Sequence, residues 1–286
     1  MTASPHSKFD IISPTALLVA YARQFSDIPY AVEISQLVDA QTIVEQYVKQ
    51  SQQPVIVAAL IEARYKAVNS VLARFGIRQM VELASGLLPR GIAMSENPEV
   101  TFVESDLPAM VNRKQQLVRQ LIGERPNLHF EAIDATHVPS QLPIHANYLN
   151  PEQPVAILCE GLLMYLSLVE RQQVCANVRE MLRSYGGVWI TPDIITLERL
   201  ELVKDNPAMQ QLYHAIAKNT GRLENPSSFG TVVHAKQFFQ GQGFEIQESS
   251  LLEFLDELTC LEPLGITPDV VKPLLATTPV FALAVA

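Results

Sequence analysis

Two stretches of the chain combine residue types and spacing that could do chemistry. The run Glu82-Leu83-Ala84-Ser85-Gly86 closes one apolar segment, and a second segment ends in Asp106, with Glu104 two residues before it. A strand ending in a glycine-containing turn, with a strand ending in an acid about twenty residues later, is a nucleotide-binding arrangement. The turn lets the backbone approach the ligand, and the carboxylate accepts hydrogen bonds from ribose hydroxyls. With one glycine where two or three are expected, an ordinary structural turn explains the same residues equally well. Glu160 carries more information. It stands in the otherwise apolar PVAILCEG, and a carboxylate there is costly to bury unless it is paired.

Other chemistries find less support. The six histidines are scattered, so no metal site is expected. Cys159, Cys175 and Cys260 form no CxxC pair, and an odd, sparse count reads as reduced thiols. A formal net charge of -9 argues against a nucleic-acid partner, which calls for a basic face. Ile11 to Ala22 resembles the core of a signal peptide, but Pro14 and Thr15 interrupt it and no small-residue cleavage site follows. No apolar run approaches the roughly 20 residues needed to span a bilayer. A cytoplasmic protein without membrane contacts is the expectation.

The elements that position these residues follow from periodicity. The chain has 286 residues, 48% hydrophobic and 18% charged, ample for one large globular domain or a domain with a cap. Residues 1–76 read as helical. Apolar positions recur on one face of 31–50, and again from Leu60 to Phe75 before a stop at Gly76. Short apolar runs then alternate with helical segments. Strands are expected at Met80 to Ser85, Val100 to Asp106, Leu128 to Asp134, Pro154 to Gly161 and Gly186 to Ile195. Strands apolar on both faces and alternating with helices indicate a parallel sheet covered on both sides. The helix after Glu160 opens with Ser167 and Glu170 at capping-box spacing and closes on Gly186. Residues 196–240 read as a helical insertion. Gly243 to Ser249 and Pro279 to Ala286 read as final strands within 241–286, with no clear helical period between them.

Three blocks, VELASGLLPRG, FVESDLPAMVNRK and CEGLLMYLS, resemble in order and spacing the leucine carboxyl methyltransferase family, which includes bacterial O-methyltransferases linked to polyketide biosynthesis. The resemblance runs from about Glu62 to Thr191. It implies an α/β fold, a Rossmann-like doubly wound sheet of seven strands in the order 3-2-1-4-5-7-6 with the last strand antiparallel. To this it adds an N-terminal helical cap (1–76), a cofactor-binding core (77–195) and a lid-like insertion (196–240). The implied cofactor is S-adenosylmethionine. Carried over by position, Arg64 pairs with its methionine carboxylate, Glu82, Ala84 and Gly86 lie at the turn beneath it, and Asp106 holds the ribose. Asp134 and Ala135 contact the adenine, and Glu160 and Tyr165 lie where the methionyl end meets the acceptor.

The family's first turn glycine is Ala84 here and a following aspartate is Leu88, while a family lysine near the N-terminus has no match around Leu17 to Arg23. A positive φ at Ala84 would crowd its methyl group. Read without the resemblance, Arg64 is an ordinary salt-bridged helix residue, Asp106 and Asp134 are helix caps, and Tyr165 is core packing. An ionised carboxylate acceptor needs no general base, whereas a hydroxyl does; Tyr165, Asp193, His214 and His234 are the candidates. The expected acceptor is a small molecule, polyketide-like, with a protein C-terminal carboxylate second. Two rivals stand beside this reading. An NAD-dependent oxidoreductase would need a fuller GxGxxG than Gly86 and Gly91 supply. A non-catalytic protein on the same fold would explain Ala84 and Leu88.

Overall fold

The computed structural model describes residues 14–42, 44, 55–204 and 229–286. Strands β1 (Gln79–Leu83), β2 (Thr101–Asp106), β3 (Leu128–Ala132), β4 (Val155–Cys159), β5 (Gly187–Thr191), β6 (Phe244–Ser250) and β7 (Pro279–Val285) form one sheet. Their order is β3-β2-β1-β4-β5-β7-β6. The first five strands are parallel, and β7 runs antiparallel between β5 and β6. This is the strand order, with β7 antiparallel, that the family resemblance implied. Every residue of the central strands β1 and β4 is buried, as sheet positions covered on both faces must be.

The covering helices are α1 (Pro14–Arg23), α2 (Ala31–Leu37), α3 (Val55–Ala73), α4 (Arg90–Met94), α5 (Pro108–Ile122), α6 (Leu168–Tyr185), α7 (Leu197–Val203), α8 (Val232–Gly241) and α9 (Pro268–Ala276). One apolar core joins α1 and α3 to one sheet face through Leu17, Val68, Leu72, Ile190 and Val280. A second core on the opposite face gathers α6 and α8 around Trp189, with Phe239, Phe244 and Phe281 packed about it. The expected capping box is present: Glu170 N–H donates to Ser167 Oγ at 3.3 Å and Ser167 N–H to Glu170 Oε2 at 2.8 Å.

Three expectations need correction. The fifth strand stops at Thr191 rather than Ile195, because Pro192 has no N–H to continue the ladder. The segment before β7 holds a 3₁₀ helix (Leu251–Glu257) as well as α9. Pro268 at the start of α9 and Pro273 inside it left no sequence period to read. The helix expected over 31–50 is interrupted: α2 ends at Leu37, a turn with Asp39 at φ 50° follows, and helix resumes at 40–42, while 43 and 45–50 lie outside the described residues. Among the described residues no helix is long and apolar enough to cross a membrane.

Candidate active site

The turn after β1 is held against the end of β2 by a set of short bonds. Ser85 N–H donates to Ser105 O at 2.9 Å, and Ser105 Oγ donates to Glu82 O at 2.7 Å. Ala84 and Gly86 take φ values of 51° and 48°. For Gly86 this left-handed conformation is free; for Ala84 it carries a steric penalty. The Gly86 N–H then meets Asp106 Oδ2 at 2.8 Å, while Asp106 Oδ1 accepts from Leu107 N–H at 2.7 Å. Burial pushes the Asp106 carboxyl above its ordinary pKa, and these two backbone donors oppose the rise. Each oxygen keeps a second lone pair for a ligand.

Behind this turn lies a cluster of buried charges at the carboxyl ends of β1 and β4. Arg90, fully buried in α4, pairs with Glu82 and donates to Glu160 Oε2 at 2.9 Å and to Asn69 Oδ1 at 2.8 Å. Its guanidinium also sits 5.0 Å above the Tyr65 ring. Glu160 faces two further cations, Arg64 Nε and Arg23 Nη2, each at 3.9 Å. Burial alone would raise the Glu160 pKa, but Arg90, Arg64 and Arg23 together hold it below the usual carboxylate value. In Arg23 burial wins, and its pKa falls to about 10. Glu82 goes the other way: burial, outweighing Arg90, raises it to about 7.

Arg64 donates to Asp193, and Asp193 is the keystone of the neighbouring turn. Its carboxylate accepts from the N–H groups of Gly161 at 2.8 Å, Leu162 at 2.6 Å and Leu163 at 3.0 Å. The carboxylate of Asp193, one of the candidate bases, is therefore placed in the turn after β4. With both oxygens engaged by these donors, the Asp193 carboxylate orders the turn. Tyr165 ends that turn, half-buried in the 3₁₀ segment Leu163–Tyr165. After β3, Asp134 Oδ1 accepts from Thr136 N–H at 2.9 Å and Thr136 Oγ1 at 2.7 Å, beside the buried Ala135.

A sequence model of the leucine carboxyl methyltransferases matches residues 13–179, more than half of the chain. The chain belongs to the leucine carboxyl methyltransferase family. A protein of Mycobacterium tuberculosis (strain ATCC 25177 / H37Ra) named as an S-adenosyl-L-methionine-dependent methyltransferase is 32% identical over 109 residues, 37% of this chain and 35% of that protein. A Mycobacteroides abscessus protein of the same description is 28% identical over 138 residues, covering 48% and 44%. The chain thus spans less than half the length of these curated relatives. Among solved structures, a methyltransferase from Thermobifida fusca superimposes with a TM-score of 0.57 at 21% identity, covering 99% of both chains. A DUF574 family protein from Streptomyces avermitilis gives 0.58 at 18% identity, over 95% and 96%. Both establish the fold.

The departures from the family pattern acquire physical meaning. Leu88, where the family has aspartate, is buried against Ile28, Ala31 and Tyr65 and fastens the first strand–helix turn to the N-terminal helices. Of the sequence candidates, Arg64, Glu82 and Glu160 converge in one charge cluster and Ala84, Gly86 and Asp106 in one turn. Asp134 and Ala135 lie beyond β3. His234 does not join them: it is exposed in the first turn of α8, its ring beside Gly230. His214 lies outside the described residues.

Sequence reasoning missed Arg23, Arg90 and the buried ion pair of Lys114 with Glu104. Arg90 stands inside a quoted block, eight residues after its partner Glu82, and a buried-acid argument could have paired them. Arg23 closes the apolar helix LLVAYAR, yet its partner is in the far half of the chain, where no local spacing could reveal it.

Proposed function

We propose that the protein is an O-methyltransferase acting on a small-molecule carboxylate or acidic hydroxyl, a polyketide-like acid being the first class to test. Its methyl donor is S-adenosylmethionine. The observation that supports this most directly is a set of buried polar atoms without a hydrogen-bond partner among the described residues: Arg23 Nε, Arg64 Nε, Glu82 Oε2 and Ser85 Oγ. They stand on the elements that surround the ends of β1 and β4, and buried groups of this kind ask for a partner. A ligand carrying a carboxylate and an ammonium supplies both signs. The residues present therefore fit the cofactor.

When bound, S-adenosylmethionine supplies a methyl group already made electrophilic by its sulfonium. The chain's residues then have to bind, align and exclude water. Arg64, with Arg23 beside it, would receive the amino-acid carboxylate in the geometry a guanidinium favours. Glu160, kept ionised by three arginines, would take the ammonium. Asp106 would hold the ribose hydroxyls, and Asp134 with Ala135 the adenine. Tyr165, at the end of the turn that Glu160 opens, would orient the acceptor oxygen. With Asp193 committed to the turn, an acceptor that is already anionic suits the described residues best, since it needs no proton removed. His214 and His234 stay candidates only if the acceptor is a hydroxyl.

Calorimetric titration with S-adenosylmethionine and S-adenosylhomocysteine, with NAD as control, tests this reading. Both sulfur ligands should bind and NAD should not. Arg64→Ala and Asp106→Ala should each weaken binding roughly 10- to 100-fold, the loss expected of a charge-assisted hydrogen bond. A folded wild type that binds neither sulfur ligand would remove the methyltransferase reading in favour of a cofactor-free protein on this fold.

A further inference from the structure

Asn177 lies on α6, away from every sequence block that suggested function, and its side chain is buried. Its Nδ2 donates to Ala135 O at 2.8 Å and to His137 O at 3.0 Å. Gln173 Nε2 donates to its Oδ1 at 3.0 Å, which fixes the amide with its donors toward the loop. On the other side, Gln141 Oε1 accepts from Asp134 N–H at 2.9 Å. The loop 134–137 is thus held from two directions, and Thr136 engages one oxygen of Asp134. No acceptor among the described residues takes the Ala135 N–H. Among the described residues the loop therefore leaves one backbone donor, Ala135 N–H, and one carboxylate oxygen, Asp134 Oδ2, unengaged on adjacent residues. That pair complements the N1 acceptor and the amino donor on the edge of adenine, and it mismatches hypoxanthine, in which both polarities are reversed.

We infer that Asn177 is the positioning residue for purine selectivity, holding the Asp134–Ala135 backbone in register with an adenine edge. This rests on the reading that the loop after β3 receives the cofactor's base. A site built around such hydrogen bonds discriminates strongly against a ligand that leaves them unmade. Loss of the anchor should therefore reduce discrimination rather than weaken all binding alike.

The test compares S-adenosylhomocysteine with S-inosylhomocysteine by calorimetry in wild type, Asn177→Ala and Gln141→Ala. The second variant loosens the same loop from an exposed position, so it keeps the test open if Asn177→Ala does not fold. Wild type should prefer the adenine ligand, and Asn177→Ala should shrink that preference by about tenfold, with Gln141→Ala moving it the same way by less. A purely structural role would weaken both ligands equally and leave the ratio unchanged, which overturns the inference. So does a wild type that binds both ligands alike. A wild type that binds neither defeats the methyltransferase reading itself, a different outcome.

Discussion

Ala84 shows how a single methyl group records a compromise. Its φ of 51° lies where a Cβ is disfavoured, in the turn proposed to receive the cofactor. Ala84→Gly should remove that strain, offset in part by the added freedom of the unfolded chain, for a net gain of about 0.5–1 kcal/mol in urea unfolding. A loss of stability would mean that the methyl packs usefully. Glu82 makes a second prediction at this scale. One guanidinium, Arg90, serves both Glu82 and Glu160, and Glu82 is the carboxylate raised by burial to about 7 from its ordinary 4.5. A raised acid stabilises the fold fully below its unfolded pKa, and that contribution is lost as pH rises through the folded value. Wild type should therefore lose part of its stability between pH 4.5 and about 7, and Glu82→Gln, always neutral, should show a flatter profile over that window. Equal slopes in the two proteins would show that Arg90 keeps Glu82 ionised throughout.

Between elements, one buried carboxylate ties the start of the chain to its end. Glu62 on α3 accepts from Thr259 N–H and Oγ1, both at 2.8 Å, and from Cys260 N–H at 2.9 Å. Lys66 pairs with it at 2.8 Å and with Asp27 at 2.9 Å. Burial raises the Glu62 pKa, but these donors outweigh it and hold the carboxyl below its usual value. Glu62→Ala leaves the two backbone donors and the Thr259 hydroxyl without their acceptor, while Lys66 keeps Asp27, and should cost about 2–4 kcal/mol in urea unfolding. A cost below 1 kcal/mol would show that the 251–261 segment is anchored by its apolar residues alone. The strands were legible because apolar runs bounded by glycine, proline and acids report burial locally, as do Ser167 and Glu170 for α6, whereas the strand order came from the resemblance to a family. Glu62, Arg23, Leu88 and Asn177 were not legible, since each draws its meaning from a partner far along the chain. Glu160 was legible by itself, as a carboxylate in an apolar run that burial obliges to pair, whereas Arg64 was legible only through the resemblance to a family, because local spacing does not distinguish a ligand-binding arginine from a salt-bridged one.

For the whole molecule, the question is whether residues 1–76 form a separable cap, as their helical pattern suggests. In the structure α1 and α3 share one apolar core with β5, β7 and the C-terminal helix α9, while the opposite face of the sheet has its own core around Trp189. The sheet is common to both. Losing α3 would expose Val188, Ile190 and Val280, which belong to strands that also carry Trp189, Phe281 and Leu283 on the other side. The two cores are therefore expected to fail together. The sequence contains a single tryptophan, Trp189, fully buried in β5, so its fluorescence reports the second core alone, whereas far-ultraviolet dichroism is dominated by helices on both faces. In urea the two signals should trace the same transition with one midpoint and one slope, the behaviour of a cooperative unit. A dichroism loss preceding the fluorescence change would instead identify the N-terminal helices as a unit that melts on its own. Arg23 and Arg64 would then leave the charge cluster before the sheet unfolds, and cofactor binding would be lost at the earlier of the two midpoints.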